Sequence, residues 1–188
     1  RRELYRLLRR AALMQVTPGN IKAVFATLKG GETLELAGAF PRFRLEQRTF
    51  TKRIVLDCSK ATISDWKWSK VFGVEIHGGL WSPLPATNGL RIDGAGDILI
   101  DGARFAGPEG APDGTGLYLS AGYDIEVRNS VFSSLANGIG LGDIMRAKVL
   151  GCAFERMRKD GIDFASVRGG EVRGCTMSAS RHTGDEHC

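Results

Sequence analysis

Short runs in which apolar and polar residues alternate recur along most of the chain, and they recur in step with one another. Four align without gaps: Asp97 to Phe105 (DILIDGARF), Asp124 to Phe132 (DIEVRNSVF), Arg146 to Phe154 (RAKVLGCAF) and Gly169 to Met177 (GGEVRGCTM). Phe105, Phe132, Phe154 and Met177 thus fall 27, 22 and 23 residues apart. A second block precedes each of them: Gly89-Leu90-Arg91-Ile92, Gly116-Leu117-Tyr118-Leu119, Gly138-Ile139-Gly140-Leu141 and Gly161-Ile162-Asp163-Phe164, with the same three spacings. Two patterns that share one irregular period belong to a single repeated unit, so insertions fall between the blocks and not within them. Gly73 to Trp81 (GVEIHGGLW) fits one repeat earlier and Arg53 to Ile63 fits more loosely. The column Leu36, Leu56, Ile76, Ile100, Val127, Val149, Val172 then runs through almost the whole chain.

Each block has the period of two expected of a strand with one buried face, and Gly, Asn or Asp bounds it. No helix-length segment lies between blocks, although parallel strands are normally joined by a long, usually helical crossover. A period of 20 to 27 residues made only of short strands instead suits a coil whose turns stack, each strand pairing with its equivalent about 4.8 Å away, and the crossover should be right-handed. The repeat NGIxL followed by xIxIxNCxF, matched by Asn137 to Leu141 and Arg146 to Phe154, resembles that of the right-handed parallel β-helix proteins of pectate-lyase-like architecture. The resemblance covers roughly residues 32 to 180 and is specific for fold, not for activity.

The expected fold is therefore all-β, a right-handed parallel β-helix with an N-terminal capping α-helix. Thr17 to Leu28 fits the cap: Thr17 at the N-cap, Pro18 in the first helical position, and Ile21, Val24, Phe25 and Leu28 as the apolar stripe. The chain divides into a basic segment, residues 1–16, and the β-helix domain, residues 17–188. The domain reads as incomplete at its C-terminal end, because His182 to Cys188 stops where another strand is due. That open end would take a continuation or an oligomeric partner. Arg1 to Gln15 reads as a short solvated basic helix: Ala11 to Met14 is too short for a secretory signal, and the apolar stretch that should follow a twin-arginine motif is missing.

Composition alters this picture little. At 188 residues, 43% hydrophobic and 25% charged, the chain is one globular domain with no run near the roughly 20 apolar residues that span a bilayer. The formal charge of +5 is concentrated before Gln15, where Arg1, Arg2, Arg6, Arg9 and Arg10 face only Glu3, so the body is near neutral. This argues against nucleic acid as a partner, which needs a basic face on the folded domain. The four cysteines, Cys58, Cys152, Cys175 and Cys188, have no CxxC spacing and only three histidines for company, which argues against structural zinc. Cys152 and Cys175 share one column within disulfide reach, and stacked free thiols are the expected state.

Among the repeated positions, Trp81, Phe105, Phe132, Phe154 and Met177 read as an inward ladder of core residues. Arg91, Tyr118, Gly140 and Asp163 form the outward line of the glycine-led strand, and the resemblance implies that this face, walled by the preceding turn, carries the active groove. Asn88, Thr115, Asn137 and Asp160 read as turn residues. The densest ionisable cluster comprises Arg156, Arg158 and Lys159 in one turn and Arg181, His182, Asp185, Glu186 and His187 in the next.

A lyase or epimerase acting on uronates removes a proton beside a carboxylate, which requires a base and a positive group to hold the developing enolate. Asp163, Lys159, His182 and Arg181 are the catalytic candidates, and Arg91, Tyr118 and Arg158 the substrate-binding ones. Asp163 with Asp160 would supply oxygen ligands to a calcium ion. A glycosidase needs two carboxylates at set separations, and here the second would come from Asp143, Asp160 or a further coil. The Asp-Pro-His-Asp of mannuronan epimerases, the paired aspartates and Gly-His-Gly of polygalacturonases, and the Arg-x-Pro-x-x-Arg of pectate lyases are all absent. The expectation is an extracytoplasmic protein, periplasmic, secreted or on the cell surface, that binds and modifies an acidic polysaccharide. The alternative is a non-catalytic structural or adhesive β-helix of cell-surface or phage-tail type.

Overall fold

A computed structural model describes residues 13–108 and 114–178. The described chain begins with a short strand, β1 (Leu13–Val16), then one helix, α1 (Ile21–Thr27), then β2 (Thr33–Phe40) and β3 (Phe43–Ile63). A unit of one long and one short strand follows: β4 (Trp66–His77) with β5 (Leu80–Trp81), β6 (Asn88–Asp101) with β7 (Arg104–Ala106), β8 (Thr115–Arg128) with β9 (Val131–Ser133), and β10 (Asn137–Leu150) with β11 (Ala153–Glu155). The last described turn comprises β12 (Ile162–Ala165), β13 (Arg168–Arg173) and β14 (Thr176–Ser178). The fourteen strands join one continuous sheet, and each pairs in parallel with its equivalent one turn away.

The repeat columns are the register. Leu90, Leu117, Ile139 and Ile162 are successive partners, as are Trp81, Phe105, Phe132, Phe154 and Met177. Ile76, Ile100, Val127, Val149 and Val172 also pair in order, and Leu56 precedes them. Leu34, not Leu36, is the partner of Leu56, and the pairing of β2 with β3 slips by one residue only beyond that pair, between Glu35 and Ala37. Both leucines point inward with no exposed surface, and a period of two cannot say which of them starts the column.

Two differences lie at the N-terminal end. Leu13 to Val16 is a strand and not the end of a helix: it pairs with Thr33 to Leu36, and Val16 is fully buried. The helix then starts after Asn20. Thr17 does not cap it with its side chain. Its carbonyl accepts the N–H of Asn20 and of Ile21, both at 3.1 Å, while its own N–H donates to Asn20 Oδ1 at 2.8 Å. The stripe Ile21, Phe25 and Leu28 is buried as expected, with the Phe25 ring 5.4 Å from that of Phe43, so α1 covers the apolar end of the first coil.

The long strands turn corners without leaving the ladder. At one corner Gly73, Asp97, Asp124, Arg146 and Gly169 all adopt left-handed backbone, with φ of 76°, 54°, 53°, 61° and 70°. Sixteen residues separate Gly89 from Phe105, Gly116 from Phe132, Gly138 from Phe154 and Gly161 from Met177. All length variation therefore falls in the turn after the aromatic residue.

The aromatic ladder and the glycine column are one device. Ring centroids lie 5.6 Å apart for Trp81 and Phe105, 4.8 Å for Phe105 and Phe132, with planes 1° apart, and 5.2 Å for Phe132 and Phe154. These rings press on the strand glycines. A Cβ at Gly116 would stand 2.9 Å from a Phe132 ring carbon, and one at Gly138 would stand 2.7 Å from Phe154 Cδ1. At the far end Phe164, Val172 and Met177 are exposed.

The described cysteines are free thiols. Cys152 Sγ donates to the Leu150 and Val127 carbonyls, and Cys175 Sγ to those of Val149 and Arg173. Burial pushes the Cys152 thiol up to about 11, and the Cys58 thiol further still, so both act as core residues and not as nucleophiles.

Candidate functional site

The outward line read from the sequence exists and is longer than expected. Arg91 pairs with Tyr118, Tyr118 with Gly140, and Gly140 with Asp163. Two earlier coils extend it, because Arg44 pairs with Lys67 and Lys67 with Arg91. These two cations are hidden in the sequence because their strands lack the leading glycine. Their signal was the apolar-basic-apolar triplet: Phe43-Arg44-Leu45 and Trp66-Lys67-Trp68 stand two repeats and one repeat before Leu90-Arg91-Ile92.

The basic end of this line borders a cleft of about 250 Å³. Arg44, Lys67 and Arg91 line it from the strands, Arg42 and Asp65 from the residues just before β3 and β4, and Ala86 and Thr87 of the turn before β6 wall it with Asn88, the first residue of that strand. The turn is tied back on itself, with the Thr87 hydroxyl donating to the Leu84 carbonyl at 2.9 Å. Arg42 is paired with Asp65. Arg44 meets no carboxylate among the described residues, and the nearest to Lys67 is Asp93, at 3.8 Å. Four cations thus share the site with two carboxylates, which leaves a surplus of positive charge at the cleft.

Asp93 organises the middle of the line. It accepts two hydrogen bonds from Arg91 Nε, at 2.9 and 3.1 Å, and one from the Ser120 hydroxyl at 2.9 Å. Partial burial works to raise its pKa, but the hydrogen bonds from Arg91 and Ser120 and the charges of Arg91 and Lys67 outweigh that, so it lies below the usual carboxylate value. A depressed carboxylate stabilises the fold above its unfolded value of about 3.9 and loses that contribution as pH falls through the folded value. Asp93→Asn should therefore cost about 1 kcal/mol at pH 7. In urea unfolding at a series of pH values, the gap to the parent protein should close below about pH 4. A gap independent of pH would show that charge is not what Asp93 contributes.

Arg91, so held, lies over Tyr118, its guanidinium carbon 4.8 Å from the ring centroid. The Tyr118 ring in turn lies on Gly140: a Cβ there would stand 2.9 Å from Tyr118 Cδ2, and one at Gly142 would stand 3.5 Å from the phenol oxygen. Gly140, which looked like a gap in a functional line, is the floor under the tyrosine.

The remaining sequence candidates sit at the other end. Asp163 is exposed on β12 beside Gly140, three strands and roughly 14 Å from Arg91. Arg158 and Lys159 belong to the turn before it, with their N–H groups bonded to the Leu135 and Ala136 carbonyls at 2.9 Å. Asp160 is exposed in the same turn, and its N–H donates to Asn137 Oδ1 at 3.4 Å. Arg181 and His182 lie outside the described residues. Asp160 and Asp163 supply two carboxylates toward the six to eight oxygens that a calcium ion takes. No three His, Cys, Asp or Glu side chains among the described residues come together to hold a metal.

Residues 54–185 match the family described as the right-handed β-helix region. The chain belongs to that family. A solved structure of a candidate glycosyl hydrolase from Parabacteroides merdae is similar to this β-helix with a TM-score of 0.61 at 12% identity, over 88% of this chain and 92% of that one. An alginate lyase from Paenibacillus sp. matches with a TM-score of 0.48 at 13% identity, over 88% of this chain and 66% of the lyase. At such identities the likeness is one of fold. No curated protein matches the sequence. Among the described residues, no helix of this β-helix is long and apolar enough to cross a membrane.

Proposed function

We propose that this β-helix binds an acidic polysaccharide along the face from Arg44 to Asp163, with anionic groups of the sugar chain in the cation-lined cleft. One observation carries the reading. Arg44, Lys67 and Arg91 stand on consecutive strands about 4.8 Å apart, under a turn that walls one side, and Arg44 has no carboxylate partner among the described residues. A row of like charges at a regular rise suits a polymer whose charges also recur. Guanidinium groups meet carboxylate or sulfate oxygens in paired hydrogen bonds. The fold shared with a candidate glycosyl hydrolase agrees with a polysaccharide ligand. Such a ligand places the protein outside the cytoplasm, in the periplasm, secreted or at the cell surface.

Arg44→Ala should weaken binding to a soluble polyuronate about tenfold and flatten its salt dependence, both measured by titration at several ionic strengths. Unchanged affinity at low salt would sink the reading.

Modification is a second step of the same reading. Tyr118 packed against Arg91 sets a proton-transferring hydroxyl beside a cation, the pair that elimination needs at a uronate. Asp163, Lys159 and Arg158 would act from the last described turn, with Arg181 and His182 after it. Elimination leaves an unsaturated, ultraviolet-absorbing end, and hydrolysis leaves a reducing end. Polyuronates that bind and yield neither would favour the structural or adhesive alternative.

A further inference from the structure

We propose that a second saccharide site, separate from the cleft, lies on the corner that carries Phe72 and Tyr123, and that it takes a neutral sugar ring. Phe72, Gly96, Tyr123 and Met145 are successive partners on β4, β6, β8 and β10, and the Phe72, Tyr123 and Met145 side chains face outward. The two rings reach toward each other across the glycine. Their centroids are 5.9 Å apart with planes 30° from parallel. A Cβ at Gly96 would stand 2.4 Å from Phe72 Cδ1 and 2.9 Å from Tyr123 Cζ, so the glycine is what lets them meet. Neither ring belongs to the core cluster. Tyr123 is 43% and Met145 51% exposed, and together with Phe72 they make an apolar strip one column wide.

Both edges of the strip are polar and both are charge-balanced. On one side Arg53 Nε donates to Asp97 at 2.9 Å, and Arg146 reaches Asp124 with two bonds at 2.6 and 2.9 Å. All four side chains keep between 39% and 57% of their surface open to solvent. The other edge has Lys70 and Asp143, both exposed. Left-handed backbone at Asp97, Asp124, Arg146, Lys70 and Asp143 turns the chain at both edges, so the strip is framed by two corners.

This pattern selects the class of ligand. A pyranose ring has apolar C–H faces and a rim of hydroxyls that both donate and accept. An aromatic strip edged by carboxylate acceptors and guanidinium donors matches it on both counts. A polyanion would find no net charge here, unlike the cleft. A stable protein partner would need about 800 Å² of its own surface buried, far wider than one column of side chains.

The test is electrophoresis of the whole chain through gels containing dextran, xylan or galactomannan, with Tyr123→Ala, Tyr123→Phe and Arg44→Ala beside the parent. At least one neutral polymer should retard the parent. Tyr123→Ala should weaken that binding at least tenfold, Tyr123→Phe should keep it, and Arg44→Ala should leave it unchanged while weakening polyuronate binding. Retardation by none of the polymers, or retardation indifferent to Tyr123→Ala, would overturn the proposal. So would loss with Arg44→Ala alone, which would assign the neutral sugar to the cleft. Sedimentation that shows dimers of the parent and monomers of Tyr123→Ala would also overturn it, assigning the strip to contact between copies.

Discussion

Phe132→Ala should lower the unfolding free energy by about 3 to 5 kcal/mol, the cost of deleting a fully buried aromatic ring that its surroundings cannot replace. Phe132 has no exposed surface and lies between Phe105 at 4.8 Å and Phe154 at 5.2 Å. Collapse into the hole would need the neighbouring coils to approach, and their spacing is fixed by parallel backbone hydrogen bonds on both sides of β9. For a chain of this length each kcal/mol is worth about 2 to 4 °C, so melting should fall by roughly 10 °C. Urea unfolding followed by circular dichroism measures the loss. A cost below about 1 kcal/mol would mean that the ladder is not packed as described. Because each coil touches only its neighbours, the damage should centre on the coils that hold Phe105 and Phe154, and hydrogen exchange there should quicken most.

Gly138→Ala should cost about 1 to 3 kcal/mol by adding a methyl group where there is no room for one. Its Cβ would stand 2.5 Å from the Gly161 carbonyl oxygen and 2.7 Å from Phe154 Cδ1. One neighbour is the backbone of the next coil and the other a ring held in the ladder, so neither yields cheaply. Gly102→Ala isolates the other reason for glycine: its Cβ would meet nothing within 4 Å, but its φ is +66°. That substitution should cost only about 1 kcal/mol, from backbone strain alone. Thermal melts of the two variants should separate, with Gly138→Ala lower. The reverse order would show that the space at Gly138 is not as tight as the geometry gives it.

The coil was legible in the sequence because two independent blocks kept one irregular period, and every column beyond Gly89 survives as strand register. The N-terminal coils were read less well. There the glycine-led block is replaced by Phe43-Arg44-Leu45 and Trp66-Lys67-Trp68, and Leu34 and Leu36 offer equal claims to one column. The same loss hid Arg44 and Lys67, and with them the cleft. Corners at Asp97 and Asp124 accord with the tolerance of Asp for left-handed backbone, whereas Arg146 carries no such signal. Arg91 and Tyr118 were found as separate contacts; that Asp93 would fix one and Gly140 would seat the other depends on side-chain reach across strands, which a column of letters does not encode. Arg158, Lys159 and Asp160 share the turn that leads into the Asp163 strand.

The invariant sixteen-residue distance from strand glycine to ladder residue separates two tasks along each coil. One stretch is clamped by its neighbours above and below. The other, from Ser82 to Thr87 in the coil that walls the cleft, begins and ends on fixed posts and answers to none of them in length. Lengthening or exchanging that stretch leaves every rung in place, so the mouth of the cleft can be re-tailored to a new ligand without refolding the scaffold beneath it.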